Sequence, residues 1–162
     1  MAVDKKPYQT KPYAGYKFSG SDEIVIVAQI AITNGDGAGS IYRIGQVPSN
    51  YIPVEGEINC EAITGLTDAD LGLYETDEHG GAVLDKDLLV DGVDLSSALV
   101  PGAGHDALKS IGVTNIGKRL CDISTIADGS AERQSYMLAL TAVAAPGATG
   151  VVTVRLRLVN GA

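Results

Sequence analysis

VEGEINCEAI, residues 54–63, decides the fold. Val54, Gly56, Ile58, Cys60 and Ala62 fall on one side of an extended chain, and Glu55, Glu57, Asn59 and Glu61 on the other. Successive side chains of a strand point to opposite faces, so a period of two predicts an antiparallel strand with one face in a core and the other wet or set against another surface. The same spacing gathers carboxylates. A rise of roughly 3.3 Å per residue puts Glu55 and Glu57 about 7 Å apart, which is compatible with acid–base or metal chemistry. No histidine, further ligand or stacking aromatic accompanies them, so the row reads as a sheet surface, hydrated or facing basic groups.

The flanks continue the pattern of strand and turn. SIYRIGQV (40–47) ends at Pro48, and PSNYIP (48–53) makes a Pro-bounded corner. EIVIVAQIAIT (23–33) is apolar on both alternating faces except at Gln29, which predicts a strand buried on both sides and a second covering layer, either another subunit or the N-terminal segment. NGDGAG (34–39) is a turn of residues that accept positive φ; it matches neither GxGxxG nor a phosphate-binding loop. TGLTDAD (64–70) turns the chain, LGLYE (71–75) gives a strand and TDEHGG (76–81) another turn.

Near the end, RQSYMLALTAV (133–143) and GVVTVRLRLV (150–159) flank AAPGATG as the arms of a hairpin. Val152, Val154, Leu156 and Leu158 face inward, and Thr153, Arg155 and Arg157 outward. The middle is less regular. In DKDLLVDGVDLSSAL (85–99) the spacing of Leu88, Leu89, Val93 and Leu95 around Gly92 predicts one or two short helical turns. HDALKSIG (105–112) predicts another short helix, and NIGKRLCDIS (115–124) a short strand or a connection.

Composition agrees. The chain of 162 residues has the length of one domain with tails. Twenty glycines, six prolines, one Phe and no Trp leave an aliphatic core and frequent turns. The fold class is all-β: an antiparallel β-sandwich of jelly-roll type with roughly eight strands, one or two short helical turns and an extended N-terminal arm, with another sandwich or a small barrel as the alternative. The arm covers residues 1–23 and the sandwich domain residues 24–160.

Charge divides the same way. The formal net charge is −8, yet residues 1–20 carry Lys5, Lys6, Lys11 and Lys17 against Asp4, a balance of +3 that leaves −11 on the rest. An acidic body does not suit phosphate binding, so no nucleic-acid partner is expected. The basic arm suits an acidic protein surface, and Tyr8, Tyr13 and Tyr16 along it suit pockets of a partner, since each buries a large area and keeps a polar tip. No signal-peptide run and no apolar segment of roughly 18 residues is present, so neither secretion by that route nor a membrane partner is expected.

Catalytic, metal and cofactor chemistry finds little support. His79 and His105 lie in Gly- and acid-rich loops, no Ser sits in a G-x-S-x-G elbow, and Cys60 and Cys121 belong to no CxxC. Both cysteines read as small buried hydrophobes. The acids of TDADLG and ETDEHGG lack the order of an EF-hand loop. The expectation is a non-enzyme with no catalytic, cofactor or metal residues.

SIYRIGQVPSNYIPVEGEINCEAITGLTDADLGLYET with VLDKDLLVDGVDLSSA, IGKRLCDI and GVVTVRLRLV resembles a set of small virion proteins of tailed bacteriophages, the capsid decoration, cement or head-stabilising proteins, over roughly residues 23–160. The resemblance implies a jelly-roll sandwich that self-associates as a homodimer or homotrimer. It also implies a place on the outer surface of the capsid, after synthesis in the host cytoplasm, where the protein clamps neighbouring copies of the phage major capsid protein. It carries no catalytic residues with it. The candidate capsid or subunit contacts are Lys5, Lys6, Tyr8, Lys11, Tyr13, Tyr16 and Lys17 of the arm, with Glu55, Glu57, Glu61, Arg155 and Arg157 of the sheet. A sandwich that binds a carbohydrate or host receptor as a fibre component is the alternative, weakened by the absence of Trp.

Overall fold

Alternating aliphatic residues make strands, and ten are present among the described residues. The computed structural model describes residues 1–5, 12–13 (backbone alone), 23–123, 126 and 135–161. The strands are β1 (Asp4–Lys5), β2 (Pro12–Tyr13), β3 (Glu23–Ile32), β4 (Ser40–Pro48), β5 (Tyr51–Cys60), β6 (Ala69–Tyr74), β7 (Val83–Val93), β8 (His105–Asp106), β9 (Ser135–Ala142) and β10 (Gly150–Asn160). Sheet A runs β1-β4-β9-β6-β7 and sheet B β2-β3-β10-β5-β8. Only β1 and β4 pair in parallel; the other pairings are antiparallel. From β3 to β10 every connection changes sheet except β6 to β7. The protein is an all-β, mostly antiparallel sandwich.

The core fills the space between the sheets, where burial of aliphatic area supplies the main drive to fold. Sheet B contributes Ile26, Ala28, Ile30 and Ile32 of β3, Ile58 of β5 and Val152, Val154, Leu156 and Leu158 of β10. Sheet A contributes Tyr42, Ile44, Leu71, Leu73, Leu138 and Leu140. The inward set expected for β10 is therefore the observed one. A second, smaller cluster, Tyr74, Met137 and Ala139 with Ile41 against it, is also buried.

Several expectations are overturned. The irregular stretch 85–99 is not helical: its first half belongs to the 11-residue β7, and its apolar spacing reflects bulges. Leu71 and Leu73, two apart on β6, pair with Val90 and Asp85, five apart on β7. The surplus residues loop over β6 so closely that a Cβ on Gly72 would overlap the Asp85 carbonyl oxygen. Residues 105–112 are likewise no helix; they open with the two-residue β8, which pairs His105 with Ile58 and Asp106 with Glu57. The short helical turns lie instead at Asp77–His79 and Leu120–Asp122, both 3₁₀, so residues 115–123 are a connection. Residues 144–150 do not close a hairpin, because β9 belongs to sheet A and β10 to sheet B.

Two strand faces also differ from expectation. The second face of β3 is not buried: Val25 and Val27 are half-covered, and Gln29 and Ala31 are exposed. Val54 is 44% exposed rather than in the core. On β10 Arg157 faces Glu55 while Leu158 faces Pro53, so Val54 is the extra residue of a bulge and turns outward. Cys60 is half-buried against the core, and Ala62, beyond the strand's end, is exposed.

Candidate functional site

The outer face of sheet B carries the charges that the sequence places there. Registering Arg155 opposite Glu57 and Arg157 opposite Glu55 sets opposite charges side by side on neighbouring strands. Arg155 Nη2 donates to Glu57 Oε2 at 2.6 Å. Arg157 donates to both carboxylate oxygens of Glu23 on β3, at 2.7 and 3.1 Å, and lies 3.5 Å from Glu55. Glu23, Arg157 and Glu55 thus form a row across β3, β10 and β5. The acidic face meets basic groups of its own sheet.

Glu57 is the centre of this face. Its Oε1 accepts from Asn59 Nδ2 at 2.9 Å and from the amides of Gly102 and Gly104 at 3.0 and 3.2 Å. These bonds, Asn59 foremost, with the Arg155 guanidinium, hold its carboxyl below the usual carboxylate range. Gly104 has no alternative, since a Cβ there would overlap Asn59 Nδ2 and crowd Glu57 Oε1. Glu57 therefore ties the 99–106 connection to β5. An open groove of about 380 Å³ lies beside it, lined by Glu55, Glu57, Asp106, Arg155 and Arg157 among others. Glu61 stands apart, accepting from the Val151 amide at 2.8 Å.

Lys5 does not join this face. Its Nζ contacts Asp36 Oδ2 at 2.9 Å, Thr33 Oγ1 at 3.1 Å and the Ala31 carbonyl at 3.3 Å, and lies 5.2 Å from the centre of the Tyr42 ring. Lys6, Tyr8, Lys11, Tyr16, Lys17 and the side chain of Tyr13 lie outside the described residues.

Charged residues that the sequence did not single out sit on sheet A and in the turn that leads into it. Arg43, 3% exposed, donates to Asp4 Oδ1 and Oδ2 at 2.8 and 3.1 Å and to the Gly81 carbonyl at 2.9 Å. Its guanidinium lies 5.5 Å from the Tyr74 ring centre. Asp36 is 9% exposed and accepts from the Tyr42 hydroxyl at 2.7 Å and the Thr33 amide at 3.2 Å as well as from Lys5. Burial pushes its carboxyl up, and these donors outweigh burial and hold it below the usual range; burial and the same contact push the Tyr42 phenol up. Asp70, 2% exposed, accepts from Lys86 Nζ at 2.5 Å and from the Gly92 amide at 3.0 Å, holding β7 both within its long bulge and just beyond it.

The remaining reactive residues have structural surroundings. His79 Nδ1 lies 2.9 Å from Thr76 Oγ1, and His105 Nδ1 lies 2.9 Å from the backbone carbonyl of Asp106 rather than its carboxylate. Cys60 and Cys121 are free thiols, both pushed up by burial first. No group of three or more His, Cys, Asp or Glu that could hold a metal occurs among the described residues.

No protein-family model and no curated protein sequence matches the chain. Among solved structures, a chain of the capsid of Ralstonia phage GP4 aligns with a TM-score of 0.56 at 14% identity, covering 100% of this chain and 99% of that one. The sandwich is a fold found in a phage capsid. At that identity the likeness extends to the order and packing of strands, not to individual side chains.

Proposed function

We propose that the protein is a structural virion component that decorates the outside of a tailed-phage capsid and stabilises it by bridging major capsid subunits. The observation that carries this reading is the end-to-end correspondence of fold with a capsid chain of Ralstonia phage GP4. The strand orders support it. β3-β10-β5-β8 faces β4-β9-β6-β7 with sheet changes at all but one connection, an order we read as a jelly roll. In this reading residues 24–160 form the decorating domain, residues 1–23 form a tether, and the protein associates as a homodimer or homotrimer. Accessible charges of this face, Glu55 at 67% and Arg155 at 59% exposure, are offered to charged groups of a subunit or capsid surface, and many such modest contacts add up through multivalency.

The test is binding to phage heads that lack the protein. Purified protein added to such heads co-sediments with them and raises the temperature at which they release DNA, and the charge reversals Glu55→Lys and Arg155→Glu together lower the occupancy. Heads that leave the protein in the supernatant at every concentration would remove the proposal.

A further inference from the structure

NGDGAG and the start of β4 form a receptor for an extended strand, and residues 1–5 fill it. The backbone of Met1 and Ala2 occupies the space where Gly37 has no side chain; a Cβ there would lie 2.7 Å from the Met1 carbonyl carbon and 2.8 Å from the Ala2 nitrogen. The Gly37 amide donates to the Met1 carbonyl at 2.9 Å and the Ile41 amide to the Val3 carbonyl at 2.7 Å. Ser40, fully buried, accepts from the Val3 amide at 3.1 Å through its hydroxyl. Beyond these bonds, each of the next two side chains meets an opposite charge: Asp4 meets buried Arg43 and Lys5 meets buried Asp36.

The match is one of sequence order. Adjacent residues of a strand point to opposite faces, and the receptor presents a cation on the face that receives Asp4 and an anion on the face that receives Lys5. A parallel pairing of only two residues, Asp4 with Ile41 and Lys5 with Tyr42, is weak by itself. The charges therefore supply much of the hold. Asp4 is 42% and Lys5 21% exposed, so the latch side of each ion pair reaches water, and the two-residue hold can release while the ten- and eleven-residue strands of sheet B stay in place.

We propose that the edge of β4 is a strand-receiving site for an extended segment bearing adjacent acid and base, that residues 1–5 occupy it as a releasable latch, and that it accepts the same segment presented in trans by a second copy. The site is built from Gly37, Ser40, Arg43 and Asp36. It is independent of whether the protein decorates a capsid.

Amide exchange on the full chain tests this, with a synthetic peptide of residues 1–7 as the probe. The Gly37 and Ile41 amides exchange slowly in the unaltered protein. In the double variant Asp4→Lys/Lys5→Asp they exchange about tenfold faster or more, as local opening predicts, and the Val154 amide of β10 keeps its protection. Adding the peptide to that variant restores protection at Ile41, and a peptide with the two charges exchanged does not. In Gly37→Ala the peptide fails to restore it. Unchanged exchange in the double variant, or a peptide without effect on it, overturns the proposal. If the double variant also loses protection at Val154, Lys5→Ala, which leaves Arg43 its carboxylate, gives the reading: faster exchange at Ile41 supports the latch, and unchanged exchange overturns it.

Discussion

The two outer faces of the sandwich handle charge in opposite ways. On sheet B the charges form an open row: Arg155 and Arg157 lie opposite Glu57 and Glu55, and strands β5 and β10 alternate as an ideal half-wet sheet would, but for one bulge at Val54. On sheet A much of the outer face is covered. Tyr74, Met137 and Ala139 are buried there, Arg43 and Asp70 are buried with them, and β7 covers the face by looping out of register. A regular strand leaves its polar face available to partners, whereas a bulged neighbour converts a polar face into a second core that must supply its own counter-charges.

Substitutions should separate the faces. Asp70→Ala removes a carboxylate that serves both Lys86 and the Gly92 amide, and should lower stability by about 3 kcal/mol in chemical denaturation. Gly72→Ala places a methyl where the β7 bulge passes and should cost about 2 kcal/mol, with near-ultraviolet circular dichroism reporting a change around Tyr74. Acid should act next. The lowered Asp36 carboxyl contributes stability that is present above the ordinary carboxylate value of about 4 and is lost as pH falls through its folded value. The Ile41 amide should therefore lose protection below about pH 4 before the Val154 amide does. The smallest effect is expected on the open face: Glu57→Ala should speed exchange at Gly102 and Gly104 while moving the unfolding midpoint far less than Asp70→Ala. An Asp70→Ala variant as stable as Glu57→Ala would abolish the distinction.

Legibility followed regularity. The inner and outer sets of β10 and most of β5 could be read because their side chains keep a period of two over many residues. β7 could not, since a run of extra residues destroys the period and leaves Leu88, Leu89, Val90 and Val93 looking neither like strand nor helix. The β9–β10 connection misled because a short Gly- and Pro-containing loop signals a turn but not which sheet the next strand joins. Val54 obeyed the pattern and still faces outward, since the bulge beside it is set by pairing with β10. The pairing of Glu55 and Glu57 with Arg157 and Arg155 was foreseeable as one option from two alternating strands. Arg43 and Asp36 were not. An arginine in SIYRIGQV and an aspartate in NGDGAG look like solvated residues until Asp4 and Lys5, more than thirty residues earlier, are brought to them. The adjacent opposite charges of Asp4 and Lys5, and the glycine on each side of Asp36, were the available signals.

The proposed external structural role in a phage head is tested most directly by cryo-electron microscopy of phage heads assembled with this protein. The expected result is density for a two-sheet sandwich on the outer surface of the shell, seated across the boundary between neighbouring major capsid subunits. A smooth outer surface, with the protein absent from purified virions or lodged inside the shell, would contradict it.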